Sequence, residues 1–340
     1  MRVLVTGATG MIGCHGAAAL ARAGHEVRAL VRNPHKLSRV MAPFGLANAI
    51  EAHAGDVTDP TSVGEALRGC DALLHSAGLF SHALSDAGRL SAVNVRGTEI
   101  VLNAACKAGV VRIVFVSSAL ALFPPSAPVV RASDAVASPA TMYSACKADA
   151  ERCARALQDG GAPIVTVYPF SVLGPNDPTV GSGPGVLAMG LRAARILVTE
   201  GGLAHTDVRD LADLFAAIFA AADPPPRVMA TAAFVVHARY FELVAQLTGR
   251  TDLAAQRIPG RVLRALGLVG DLAQRWLGRS PQLTSEAAQI LTRSVPVDDR
   301  DARALLGRAP TAIENSLRDT ITWMAATGVI PPRCAGRLSA

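Results

Sequence analysis

In VLVTGATGMIG, residues 3–13, an apolar β-branched run leads straight into Gly7, Gly10 and Gly13 at three-residue spacing. An alanine-rich helical pattern follows from Gly13 to Ala23, with Gly24 as its stop. A strand that turns directly into a helix aims free backbone N–H groups past the strand's carboxyl edge, where a pyrophosphate can be held. Gly7 permits the tight turn, Gly10 lets the backbone approach a diphosphate, and Gly13 lets the helix pack closely on the strand. Thr9, Met11 and Ile12 complete the set of candidate contacts in this loop. The same glycines would also serve a plain turn with a close-packed helix. Their place after a strand, before a helix, and about 20 residues ahead of the end of a second strand favours a dinucleotide site.

That second strand, Glu26 to Val31, ends in Val31-Arg32-Asn33-Pro34. An NAD-selective site usually places a carboxylate there for the ribose hydroxyls. A guanidinium at Arg32 can instead grip a 2′-phosphate, and Lys36 can add a second positive charge, so the expected cofactor is NADP(H). A solvated surface arginine is the competing reading. Further on, Gly55-Asp56-Val57 closes a weak third strand with an acceptor that could meet the adenine amino group.

Beyond these, strands are expected at Ala72 to His75, Ile113 to Val116 and Ile164 to Tyr168, alternating with helical patterns. That alternation predicts a Rossmann-like, doubly wound parallel sheet in an α/β fold. Pro169 to Gly185 is rich in proline and glycine and is expected to leave the sheet and shape a substrate pocket. The chain then returns, with a helix from Asp207 to Ala221 and one more strand from Val228 to Val235, and is helical from Arg239 onward. The organisation expected is a dinucleotide-binding domain over 1–170 with a return segment at 205–235, and a smaller, mainly helical substrate lobe from 171–204 and 236–333. Residues Cys334 to Ala340 are expected to fray.

Tyr143 and Lys147 in MYSACKADAE stand four apart, which puts them on one face of a helix. A phenol titrates near 10 unaided and needs a neighbouring cation to work as an acid/base near neutrality. Lys147 and an oxidised nicotinamide ring would supply that field. Ser118, at the end of the fifth strand, could hydrogen-bond the substrate oxygen on which charge develops. Chance Tyr/Lys pairs on helices are common; the conjunction with a strand-tip serine and a nucleotide loop is not.

With these motifs in place, the chain resembles the extended short-chain dehydrogenases/reductases, also called the NAD-dependent epimerase/dehydratase family. The resemblance is carried by the three glycines, Asp56, Ser76-Ala77-Gly78, Asn94-Val95-Arg96-Gly97-Thr98, Ser117-Ser118, Tyr143 with Lys147, YPFSVLGPND and HTDVRDLA. ALVRNP and VLGP are most similar to dihydroflavonol reductase-like ketone reductases. The resemblance implies that Ser118, Tyr143 and Lys147 are catalytic. It also implies that Arg32 and Lys36 bind a 2′-phosphate, that Ala77 and Gly78 line the cofactor channel, that Ser76 and, beside Asp56, Val57 contact the cofactor, and that Pro169, Phe170 and Ser171 face the nicotinamide. Ser76 and Gly78 depart from the family's more usual Leu-Ala-Ala run. Two activities stay open: reduction of a ketone or aldehyde by NADPH, and epimerisation or dehydration of a nucleotide sugar on a retained cofactor. A redox-sensing binding protein that uses the dinucleotide fold without turnover would leave the Ser/Tyr/Lys set unexplained. The pocket-forming loops carry few charges, which favours an apolar carbonyl substrate.

Of 340 residues, 50% are apolar and 18% charged, enough for a large core, with a net charge of +6 spread over scattered arginines. No basic run suggests a nucleic-acid partner, and no segment reaches the roughly 20 apolar residues of a membrane span. A strand beginning at Arg2 leaves no room for a signal peptide, so a cytoplasmic location is expected. The six cysteines show no metal-type pairing and read as reduced packing residues, His75 reads as a satisfied core residue, and no metal is expected. The helices Leu90 to Ala108 and Tyr143 to Leu157 could pair in a homodimer. Residues 261–277 carry an apolar helical stripe that could be a lid, a membrane contact or, as the expectation adopted here, ordinary packing onto the second lobe.

Overall fold

The computed structural model describes residues 1–81, 84–123, 127–139, 141–277 and 283–339. Among the described residues there are twelve strands: β1 Arg2–Thr6, β2 Glu26–Val31, β3 Glu51–Ala54, β4 Ala72–His75, β5 Arg112–Val116, β6 Ile164–Tyr168, β7 Ser171–Leu173, β8 Arg195–Val198, β9 Gly202–Asp207, β10 Arg227–Met229, β11 Ala233–Val236 and β12 Ala254–Arg257. Seven form one parallel sheet in the order β10-β6-β5-β4-β1-β2-β3. Register is continuous across its centre, with Val5 beside Ala29 on β2 and Thr6 beside His75 on β4.

Both faces of this sheet are covered, so its strands are apolar on both sides. Val3 and Val5 of β1 face a cluster built with Leu20, Met41 and Phe215 from the helices Met11–Arg22, Pro34–Met41 and Val208–Ala220. Leu4, one residue over, faces the opposite cluster with Val63, Leu102 and Ala154 from Pro60–Leu67, Gly97–Ala108 and Met142–Asp159. This period-2 division of one strand between two layers is what a doubly wound sheet requires. The winding reverses between β1 and β4, and crevices for ligands open beyond the carboxyl ends of strands at such a switch point.

The expected strand at Val228 to Val235 is two strands. β10 extends the main sheet alongside β6, while β11 pairs antiparallel with β9 in a separate three-stranded sheet completed by β7. The break is pinned where Ala230 N–H donates to the Tyr168 carbonyl and Ala232 N–H donates to the Asp299 carboxylate. An apolar run reads the same whether it stays in one sheet or changes sheets. The strands β7, β8, β9 and β12 are three to six residues each and lie in glycine-rich or mixed stretches without a strand signature. β12 also interrupts the helical pattern expected after Arg239.

The later helices His237–Thr248 and Ile313–Ala326 share a second core, Leu243, Leu247, Leu317, Ile321 and Met324, with Leu187 and Leu191 of Ser182–Ala193. The short helix Arg300–Leu306 instead returns to the main sheet, where Ala302 joins the first cluster. The chain end does not fray through its described residues: Cys334 and Ala335 are buried, and Arg337 Nε donates to the Leu247 carbonyl at 3.0 Å. Ala340 lies outside the described residues. The stripe in the helix Gly260–Leu277 is turned outward, contrary to the packing expected of it.

Candidate active site

The glycine loop joins β1 to the helix Met11–Arg22. Gly7 sits at φ +79°, a conformation L side chains rarely adopt, and a Cβ there would lie 2.7 Å from Ala77 N. A Cβ on Gly13 would lie 2.1 Å from the Gly7 carbonyl oxygen. The first constraint presses the β1 turn against the β4 turn; the second presses the helix against the strand. The helix begins at Gly10, which offers no side-chain cap, and its first turn carries no acidic residue. The first-turn N–H groups therefore keep their hydrogen-bonding capacity beyond the strand end, and a close-set, uncapped cradle of this kind fits a dinucleotide pyrophosphate.

The β4 turn, Ser76 to Gly78, is tied to the same place. Ser76 Oγ donates to the Thr6 carbonyl at 2.8 Å, and Ala77 N–H donates to Thr6 Oγ1 at 3.3 Å. Beneath them His75 is fully buried, with Nδ1 2.7 Å from Thr6 Oγ1 and Nε2 3.0 Å from Thr98 Oγ1. Thr98 Oγ1 donates to the Asn94 carbonyl at 2.8 Å, so it receives the His75 Nε2 proton, which assigns the tautomer. Burial, helped by the nearby charge of Lys147, pushes the His75 pKa down to about 3 and keeps the ring neutral. His75 is thus a satisfied core residue, and it links the ends of β1 and β4 to the segment Ser91–Arg96.

That segment is one turn of π-helix, a form often found beside functional sites. It presents Asn94, buried, whose Nδ2 donates to the Leu79 carbonyl and whose Oδ1 accepts from Leu79 N–H. A methyl built on Gly78 would lie 3.5 Å from Asn94 Oδ1 and 3.6 Å from Lys147 Nζ. The β4 turn, the π-turn and the Tyr143–Lys147 helix therefore meet at Gly78. Asn94 appears in the sequence as part of a family signature, but its role in holding the Leu79 backbone was not legible there. An asparagine can serve donor and acceptor at once, and only tertiary contact names the partner.

Met142–Asp159 carries Tyr143 and Lys147 on one face, one turn apart. Phe80, on the loop after Gly78, meets the Tyr143 ring edge-on with centroids 4.9 Å apart. Desolvation lowers the Lys147 pKa to about 8, opposed by the Glu151 carboxylate one turn further along. Glu151 is fully buried and accepts from Tyr168 Oη at 2.5 Å and Arg155 Nε at 2.9 Å. Ser118 follows β5, buried, and its Oγ caps the turn Ala119–Leu122 by accepting from Leu120 N–H at 3.2 Å. With its lone pair so engaged, the hydroxyl keeps its hydrogen to donate. Pro169 lies alongside, its carbonyl accepting from Ala119 N–H at 2.9 Å. Phe170 packs on the cluster of Ala119, Leu122 and Tyr168, and Ser171 opens β7.

At the far end, Gly55 N–H donates to the Val31 carbonyl, setting Asp56 beside Arg32 at adjoining strand ends. Arg32 is exposed and, like the Lys36 ammonium, has no side-chain partner among the described residues. Asp56 Oδ1 is occupied by Thr58 N–H and Oγ1, leaving Oδ2 as its outward acceptor. Val57 packs against Gly97, where a Cβ would be 3.2 Å from its Cγ2. The loop after β7 docks on the glycine-loop helix, where His15 Nε2 is 2.9 Å from the Pro175 carbonyl. Burial pushes the Cys14 thiol up to about 12. Among the described residues no cluster of three metal-ligating side chains occurs.

A doubly wound parallel sheet with a glycine cradle at its switch point defines a Rossmann-like nucleotide-binding protein. Residues 3–232 match the NAD dependent epimerase/dehydratase family, and the chain belongs to it. Over 97% of its length it is 29% identical to the whole of sterol demethylase protein B of Methylococcus capsulatus. Over 98% it is 29% identical to the whole of a 4-hydroxy-2-methyl-3-oxo-4-farnesyl-3,4-dihydroquinoline-1-oxide ketoreductase of Stigmatella aurantiaca. A Synechocystis protein provisionally named a dihydroflavonol 4-reductase is 27% identical over 96% of this chain and 95% of its own. The fold is shared with UDP-glucuronic acid 4-epimerase from Bacillus cereus, solved with NAD, at a TM-score of 0.71, 16% identity and 94% coverage of both chains. The protein is thus an oxidoreductase of this family built to bind a nicotinamide cofactor.

Proposed function

We propose that the protein is an NADP(H)-dependent reductase of a small, apolar ketone or aldehyde. The observation that carries the reading is the convergence at Gly78, where the Lys147 ammonium reaches the β4 turn beside the glycine cradle. A nicotinamide bound there supplies the hydride. Gly7, Gly10 and Gly13, with Thr9, Met11 and Ile12, hold the pyrophosphate; Arg32 and Lys36 hold the 2′-phosphate; Asp56 and Val57 meet the adenine; Ser76, Ala77 and Gly78 line the channel; Pro169, Phe170 and Ser171 border the ring. Ser118 donates to the substrate oxygen, and Tyr143 Oη delivers the proton to that oxygen as charge develops. Lys147 stabilises the resulting phenolate. The unpaired Arg32 supports NADP, and the ketoreductase and reductase relatives support carbonyl reduction.

Epimerisation or dehydration of a nucleotide sugar on a retained cofactor is the alternative, favoured by the family match and by the shared fold of the sugar-modifying enzymes. The test is NADPH oxidation followed at its nicotinamide absorbance, against panels of apolar ketones, aldehydes and nucleotide sugars. Steady oxidation with a carbonyl, lost in Tyr143→Phe while NADPH still binds, is expected. Sugar conversion without net oxidation would move the assignment to the alternative.

A further inference from the structure

Half of the large apolar side chains that stand exposed among the described residues sit on one helix, Gly260–Leu277. Its inner side is ordinary packing: Leu263 is buried, Asp271 Oδ1 accepts from Ser285 N–H at 3.2 Å, and a Cβ on Gly267 would meet the Thr284 carbonyl at 2.8 Å. Its outer side carries Val262, Leu266, Val269, Leu272 and Trp276, spaced three or four apart, with Leu268 at the margin. Val269 is 60% and Trp276 83% exposed, far beyond what scattered surface residues explain. From Val262 to Trp276 the stripe runs about 21 Å along the surface.

Along one edge of the stripe stand Arg261 and Arg264, both exposed, the latter reaching back to Thr292 Oγ1 at 2.9 Å. Asp271 is turned inward, so among the described side chains the outer face carries positive charge without a carboxylate. An amphipathic helix with an exposed apolar face, an arginine edge and an exposed tryptophan has the pattern of a helix lying in a lipid headgroup layer. The indole spans the boundary between apolar and wet regions, and the arginine stems can lie along it with their heads in the phosphates. A second copy docked through the same face would cover the apolar stripe but bring no described carboxylate to answer the arginines. An anionic lipid surface answers both.

We propose that the outer face of Gly260–Leu277 docks this protein on anionic membrane surfaces. The inference is independent of the reductase reading, because vesicle binding is measured without substrate or cofactor. The intact protein is sedimented with vesicles of phosphatidylglycerol and phosphatidylcholine in equal parts, and with phosphatidylcholine alone. Binding to the anionic vesicles is expected, weakening with salt, together with a blue shift of tryptophan emission that Trp276→Phe removes. Leu266→Ser combined with Val269→Ser should lower the bound fraction by about tenfold or more. Arg261→Gln combined with Arg264→Gln should weaken anionic binding and erase its salt dependence. Because these side chains are exposed, thermal melts of the variants should match the parent, and variants that melt early are replaced by single substitutions. Failure of the parent to bind anionic vesicles, or variants that bind like the parent, would overturn the proposal. Concentration-dependent dimerisation lost in the Leu266/Val269 variant, without vesicle binding, would assign the face to a second copy.

Discussion

Asn94 holds the backbone of Leu79 from both sides, accepting its N–H at 2.7 Å and donating to its carbonyl at 2.8 Å. The loop bearing Gly78 is therefore fixed from a π-turn, at the point where Lys147 Nζ approaches. Asn94→Ala leaves two backbone groups of a half-buried residue unanswered, at about 1–3 kcal/mol each where water cannot reach them. Chemical denaturation should record the loss, and kcat should fall more than cofactor affinity. Asn94→Asp keeps the acceptor but sets a buried carboxylate oxygen against the Leu79 carbonyl, so it should restore little of what Asn94→Ala loses.

Two glycines in helices offer a contrast. Gly13→Ala puts a methyl 2.1 Å from a backbone oxygen, so the helix must lift from β1 and the cradle must open. Dinucleotide affinity should drop by an order of magnitude or more, read by calorimetry. Gly64→Ala, in Pro60–Leu67 with nothing within 4 Å, should instead raise stability by about 0.5–1 kcal/mol.

The unpaired guanidinium at the end of β2 sets cofactor choice in the reading proposed here. Arg32→Ala should raise Kd for NADPH by about tenfold, the scale of one charge-assisted contact, and leave Kd for NADH nearly unchanged. A parent protein that binds both equally, or a variant that keeps the parent's preference, counts against this role.

With its pKa lowered to about 8, Lys147 loses its charge as pH rises through that value. In the free enzyme kcat/KM should therefore decline on the alkaline side of about 8. The Glu151 carboxylate opposes the shift, so Glu151→Gln should move the declining limb to lower pH. That variant also leaves Arg155 without its buried anion, and an accompanying loss of stability is expected.

Acid should unfold the protein partly through two histidines. His75 and His205 are pushed from 6.5 down to about 3 by burial, so both stay neutral in the folded state. The unfolded chain binds more protons between those values, and stability must fall as pH drops from about 6.5 toward 3. Urea titrations across that window should show the slope, and it should be shallower in His205→Phe than in the parent.

Where local pattern and fold agree, the sequence was sufficient. β1, the glycine turn, the helix after it and the five strands β2 to β6 are each specified by residues close in the chain. A parallel, doubly wound sheet was legible because short strands alternate with helical patterns; the division of Val3, Leu4 and Val5 between two cores is what the structure adds. The placement of Ser118 at a strand end and of Tyr143 and Lys147 on one helix face was legible because strand ends and helical spacing are local properties. The split at Ala230 was not, since β10 and β11 differ only in which sheet they join.

Glycine spacing, strand periodicity and the Tyr143/Lys147 interval determined the nucleotide-binding sheet and the helix face these two side chains share, because each depends on steric rules acting over a few bonds. Tertiary structure alone decided that Asn94 carries Leu79, that His75 joins two strand ends through neutral hydrogen bonds, and that the stripe on Gly260–Leu277 faces outward. Periodicity says that a helix has an apolar face. Which face is covered depends on the position of Thr284 to Ala288 against Gly267, a contact between segments that no local pattern encodes.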